Sequence, residues 1–82
     1  MTRTRDGIRL DKVLKVAKEI VPKLLVRAGT KHPYMLTIAG FRPCPVAAST
    51  DVRKMVAPWL RDATGYSPRE IYQAFQRGHW DG

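Results

Sequence analysis

The tightest constraint on this chain is the crowding of its apolar runs between Lys23 and Val46. Lys23 to Ala28 is short and apolar, and Gly29-Thr30-Lys31 then supplies a turn. Tyr34, Leu36 and Ile38 alternate with Met35, Thr37 and Ala39 as a strand does, and Gly40 turns the chain into Phe41-Arg42-Pro43-Cys44-Pro45-Val46. Connections this short cannot carry a parallel crossover, which needs about a dozen residues or more, so the three strands must form an antiparallel meander. Pro43 and Pro45 donate nothing to a ladder. The third strand is therefore expected at an edge, or with those positions on its unpaired side.

Helical periods flank the meander. Leu10, Val13, Leu14, Ala17, Ile20, Val21 and Leu24 recur at three- and four-residue steps, with Asp11 as the expected N-cap and Pro22 as the stop, so the first helix is predicted over 11–21. Ser49-Thr50-Asp51 opens a second helix carrying Val52, Met55, Val56, Trp59, Leu60 and Ala63, with a kink expected at Pro58 and an end at Gly65. Ser67-Pro68-Arg69-Glu70 matches a capping box with proline at N1, predicting a third helix over 68–77 that stops at Gly78. The fold class is α+β: a three-stranded antiparallel meander with helices packed on one face, in the order α-β-β-β-α plus an extra C-terminal helix. Residues 1–9, which show no apolar period, read as a flexible basic arm; 10–78 form the single domain, and 79–82 a C-terminal tail.

With 82 residues there is room for one core only. A domain of this size buries only about 60% of its unfolded surface, so a homodimer or a bound partner is an expected support. Hydrophobic residues at 44% set the chain apart from a disordered tail. Fifteen Lys and Arg against seven Asp and Glu, a formal charge of +8, point to a polyanion or an acidic partner. Residues 1–42 hold ten of the basic and three of the acidic side chains, so almost all of the excess lies there. The lone Cys44 excludes an internal disulfide and a cysteine zinc site, and reads as a small buried hydrophobe in a reducing cytoplasm. No apolar run approaches the roughly 18 residues of a membrane span, and the start of the chain lacks a signal-peptide core.

The chemistry-bearing residues are few. His32 and His79 have no ligand neighbours at metal spacing, and no Ser-His-Asp order, paired carboxylates or glycine-rich phosphate loop occurs, so neither a metal nor a cofactor is expected. His79 reads as part of the terminus. For His32, at the start of the central strand, two readings stay open. It is an ordinary strand-end histidine, or it is a general base that takes the proton from a 2′-hydroxyl, which then attacks the adjacent phosphate while cations steady the charge. A second group must protonate the leaving oxygen, with Lys31, Tyr34 and Arg42 as candidates. Arg27, Lys31 and Arg42 around Tyr34 or Phe41 would equally form a binding surface without catalysis, extended by Lys12 and Lys15 on the first helix and Arg5 on the arm. The competing account is that these aromatics are core and the charges a solvated face.

Gly29-Thr30-Lys31-His32-Pro33-Tyr34, followed by Arg42-Pro43-Cys44-Pro45-Val46 and a helix beginning near Thr50, resembles the HicA-type toxins over residues 11–64. These are small mRNA interferases with a double-stranded-RNA-binding-like fold. In that family a glycine, a small hydroxyl residue and one or two histidines precede the alternating strand. The resemblance implies RNA as the partner, His32 as the catalytic residue and an acidic antitoxin covering the site. Lys31 stands where the family often has its histidine, which moves the role one residue along, and the third helix is an addition. A separate reading is a non-catalytic inhibitor or adaptor docking on a larger protein through Trp59, Tyr66, Tyr72 or Trp80.

Overall fold

The computed structural model describes residues 3–28 and 33–81. The first apolar period yields α1, Leu10–Ile20, which buries Leu10, Val13, Val16, Ala17 and Ile20. Asp11, the expected N-cap, lies inside the first turn. The chain enters the helix at Arg9, whose carbonyl accepts from Val13 N–H at 3.0 Å, because Leu10 belongs to the buried stripe. At the other end Val21 is extended, the conformation imposed on a residue that precedes proline.

Strands β1 (Leu25–Arg27), β2 (Tyr34–Thr37) and β3 (Cys44–Val46) form the expected antiparallel meander, in spatial order β1-β2-β3. The register aligns Val26 with Leu36 and Cys44, and Tyr34 with Val46, so these side chains share one face. Leu25, Arg27, Met35, Thr37 and Pro45 occupy the opposite face. Pro45 pairs with Met35, between two pairs of the other hydrogen-bonding class, and its missing N–H therefore falls on the side away from β2. Gly40, at φ +86°, lets Phe41 N–H close the β2–β3 turn onto the Ile38 carbonyl at 3.0 Å. The β1–β2 turn expected at Gly29-Thr30-Lys31 lies outside the described residues.

Asp51 opens the next segment as expected, its carboxylate accepting from Lys54 N–H at 3.1 Å. The single kinked helix resolves into a π-helical turn, Val52–Val56, followed by α2, Ala57–Thr64. Pro58 explains the split. In an α-helix its ring would press on the carbonyl four residues back, whereas a widened turn, marked by Ala57 N–H bonding to Val52, spreads the backbone just ahead of it. Gly65, at φ +84°, ends α2, and α3 spans Pro68–Arg77. Helix α3 starts through its backbone, with Ile71 N–H donating to the Ser67 carbonyl at 3.0 Å; the Ser67 hydroxyl takes no part, so the expected capping box stays open.

All three helices and the π-turn contribute to one core with the sheet. Val13, Val16, Leu36, Val46, Val56, Leu60, Ile71 and Phe75 are fully buried and belong to the same cluster. Each is worth about 1.5–3 kcal/mol of apolar burial. The helices sit on the Leu36 face and leave the Leu25 face uncovered, where Leu25 remains 55% exposed. Among the described residues no helix is long and apolar enough to cross a membrane.

Both ends depart from expectation. Residues 3–9 are a small hairpin held against the domain, not a flexible arm. Thr4 N–H donates to the Ile8 carbonyl at 2.7 Å, Arg5 N–H reaches the Thr50 carbonyl at 2.9 Å, and Thr4 and Ile8 are buried. One apolar residue and one hydroxyl suffice for this, which is why no period betrays it. The C-terminal tail is also tied down: Trp80 N–H donates to Glu19 at 3.0 Å, and its ring packs on the core and against Tyr66 at 4.9 Å between centroids.

Candidate nucleic-acid interface

Of the residues expected at the meander, the described ones are spread over different parts of it. Lys31 and His32 lie outside the described residues. Arg27 and Tyr34 belong to opposite faces of the sheet by register; Tyr34 packs against the core and Arg27 is exposed on the uncovered face. A stacking ring flanked by Arg27 is therefore not assembled. Arg42 is exposed after the β2–β3 turn, where its carbonyl is held by the Trp59 indole N–H at 2.6 Å. Arg5 is exposed beside Thr50. Lys15 is engaged within the molecule, its ammonium donating to the Gly78 carbonyl at 2.9 Å and lying 4.0 Å from Glu19. There it caps the negative end of α3.

Cations converge instead along α3. Arg69, Tyr72, Gln73 and Gln76 recur at three- and four-residue steps, which puts them on one face of the helix. With Arg53 and Pro68 they line a cavity of about 630 Å³. Tyr72 and Gln76 also line a second cavity of about 240 Å³, walled by Arg3, Arg9, Lys12 and the 3–9 hairpin; the two cavities meet at these side chains and together make up the groove. Lys12 runs close past Gly78, where a Cβ would lie 3.0 Å from the end of the Lys12 stem. Among the described residues the groove walls carry five cations and one carboxylate, Asp6.

That carboxylate is committed to building the groove. Asp6 accepts from Thr4 Oγ1 at 2.6 Å, Val52 N–H at 3.2 Å and Arg53 N–H at 3.1 Å, joining the hairpin to the start of the π-turn. Burial pushes its carboxyl up, but these hydrogen bonds together outweigh burial and hold it below the ordinary value. Burial, and then the Asp6 carboxylate beside its hydroxyl, push the Tyr72 phenol up, so the hydroxyl keeps its proton. The Arg53 guanidinium lies over the Tyr72 ring, 6.0 Å from its centroid. Hairpin and π-turn are thus joined through the Asp6 hub, with the Tyr72 hydroxyl of α3 beside it. Arg9 shares its charge with Asp11 at 3.0 Å, an exposed pair of the kind worth about 1 kcal/mol or less and easily exchanged for another anion.

Comparison of the chain with protein-family models, curated proteins and solved structures gives no match.

The site therefore rests on its own chemistry. Burial pushes the Cys44 thiol up to about 11, which leaves it protonated and inert as a nucleophile. Among the described residues no three His, Cys, Asp or Glu side chains gather as a metal site would require. Sequence reasoning missed Arg53, Arg69, Gln73, Gln76 and the hub at Asp6, and took Tyr72 for a core or docking residue. The signal was present in α3, where Arg69, Tyr72, Gln73 and Gln76 form a polar stripe opposite Ile71, Ala74 and Phe75. Nothing local in Thr4-Arg5-Asp6 announces that its carboxylate crosses 46 residues to cap Val52.

Proposed function

We propose that the protein binds RNA through the phosphate backbone, seating it in the groove between α3, the π-turn and the 3–9 hairpin. The observation that carries this reading is the convergence of Arg53, Arg69, Arg3, Arg9 and Lys12 on one concave surface whose single carboxylate is bound internally. Phosphate recognition needs this arrangement: fixed cations, little competing negative charge, and a ring for stacking. The resemblance to HicA-type toxins adds cleavage to the reading. His32 would act as general base on a 2′-hydroxyl, without a metal or cofactor, and an acidic antitoxin would cover the basic surface. The cytoplasm, where a lone cysteine stays reduced, is the compartment that suits both parts.

Binding of a labelled RNA measured across a salt series tests the first part. Affinity should fall steeply with salt, with a log–log slope of about 0.7 per phosphate engaged on a single strand. Arg53→Glu with Arg69→Glu should weaken binding on the order of 10-fold to 100-fold and flatten that slope, while Arg27→Glu with Arg42→Glu should change it far less. Equal losses from the two pairs would move the interface to the sheet, and salt-independent or absent binding would transfer the case to an acidic protein partner. Cleavage of a structured RNA in EDTA, lost in His32→Ala, tests the second part; intact RNA at high protein concentration sinks it.

A further inference from the structure

We infer that the groove selects unpaired RNA, with one base laid on the Tyr72 ring and its edge facing the amides of Gln73 and Gln76. This rests on the RNA-binding reading above and states which form of RNA the groove takes. Five observations carry it. The larger cavity, at about 630 Å³, is a depression open to solvent along α3, with room for a protruding base beside Tyr72. Tyr72 lines both cavities, so its ring stands at the crossing point of any strand that follows the groove.

The ring is also backed by the core before anything binds. Its hydroxyl lies beside Asp6, which is itself held by Thr4, Val52 and Arg53, and its body packs on the core. A stacking platform that is already ordered loses little conformational freedom on binding. Arg53 lies over the ring where a base would stack, and on binding it gives way to the base and moves to its far side or to a neighbouring phosphate. Finally, Gln73 and Gln76 each offer both a donor and an acceptor; phosphate oxygens can take up only the donor, whereas the edge of an unpaired base can meet both. Arg69 stands at one end of this stripe, and Arg3 and Lys12 at the other. Seven residues of helix, about 10 Å, separate Arg69 from Gln76.

The experiment compares three 12-nucleotide ligands by fluorescence anisotropy at one salt concentration: an unstructured RNA, the same backbone with abasic positions, and a fully paired RNA duplex. The unstructured RNA should bind on the order of 10-fold more tightly than the other two. Tyr72→Leu should erase that preference and leave a weaker, salt-dependent binding that is equal for all three. Gln73→Ala with Gln76→Ala, both exposed and away from the core, should reduce the preference severalfold without lowering the unfolding temperature. Phe41→Leu, an exposed aromatic outside both cavities, should change nothing. Equal affinity for the abasic strand, tighter binding of the duplex, or a preference that survives both groove variants overturns the inference while leaving RNA binding standing. Failure of all three ligands to bind overturns the RNA reading itself.

Discussion

On the sheet, Arg27 and Arg42 stand apart, one on an uncovered face and the other beyond a turn, and the ring between them in sequence, Tyr34, is turned to the core. On the α3 side, Arg53 and Arg69 line one cavity with a ring that Arg53 overlies and whose hydroxyl lies beside Asp6. Among the described residues the two regions differ in the number of cations, two on the sheet against five in the groove, and still more in their convergence. A phosphate chain gains from cations that face one concave path, because their fields add within a Debye length of about 8–10 Å, whereas isolated surface cations are screened separately. The half of the chain with the larger formal excess is thus not by itself the proposed binding surface. The groove takes Arg3, Arg9 and Lys12 from the first half of the chain and Arg53 and Arg69 from the second.

The severest way to break this contrast is to remove the floor that the groove shares with the core. Phe75 is fully buried and also lines the smaller cavity. Phe75→Ala should cost about 3–5 kcal/mol, a large part of the roughly 5–15 kcal/mol that holds a small domain folded. Leu25→Ala, on the uncovered sheet face, should cost well under 1 kcal/mol, since that side chain is already 55% exposed. Urea unfolding of the two variants measures the difference. Similar midpoints would mean that the Leu25 face is covered in solution and that the two sides of the sheet are alike in burial.

The next test loosens the groove and spares the sheet. Asp6→Ala removes acceptors from Val52 N–H, Arg53 N–H and the Thr4 hydroxyl, and should cost about 1–2 kcal/mol, the usual scale for losing a helix-start cap. Amide exchange should accelerate at Val52 and Arg53 while Leu36 stays protected. The carboxyl is held below its ordinary value of 3.8, so the folded state binds that proton more weakly than the unfolded one does. Its stabilisation is therefore complete above that value and is lost as pH falls through the lower folded-state value. A wild-type acid limb below pH 3.8 that persists unchanged in Asp6→Ala would remove Asp6 from the hub.

What the amino-acid order reveals follows from the range of each interaction. The meander is legible because turn length decides strand pairing locally, and α3 is legible to the residue because Pro68 and Gly78 punctuate it. The split of the second helix is half legible: Pro58 announces a disturbance, but whether the backbone kinks or widens depends on how Val52 and Val56 must reach the same core. The groove is not legible. Asp6 meets Val52 across 46 positions, and Lys15 meets Gly78 across 63. A charged residue's role depends on such distant partners, and neither periodicity nor composition carries them.

The smallest effect sharpens the comparison most, because it separates two lysines one turn apart on α1. Lys15 reaches the Gly78 carbonyl and Glu19 with a side chain 60% exposed, while Lys12 passes Gly78 to line the groove. Lys15→Met should lower stability by about 0.3–1 kcal/mol, the value of a cation at an exposed helix C-terminus, and should leave RNA affinity within about 2-fold and the salt slope unchanged. Lys12→Met should do the reverse, with stability nearly unaltered and the slope reduced by about 0.7, as expected when one phosphate fewer is neutralised. Thermal unfolding and a salt titration of the same two variants read both quantities. If Lys15→Met flattens the slope as much as Lys12→Met does, then RNA lies across the α1 surface as a whole, and the binding path is the wide basic face that composition suggests rather than the groove.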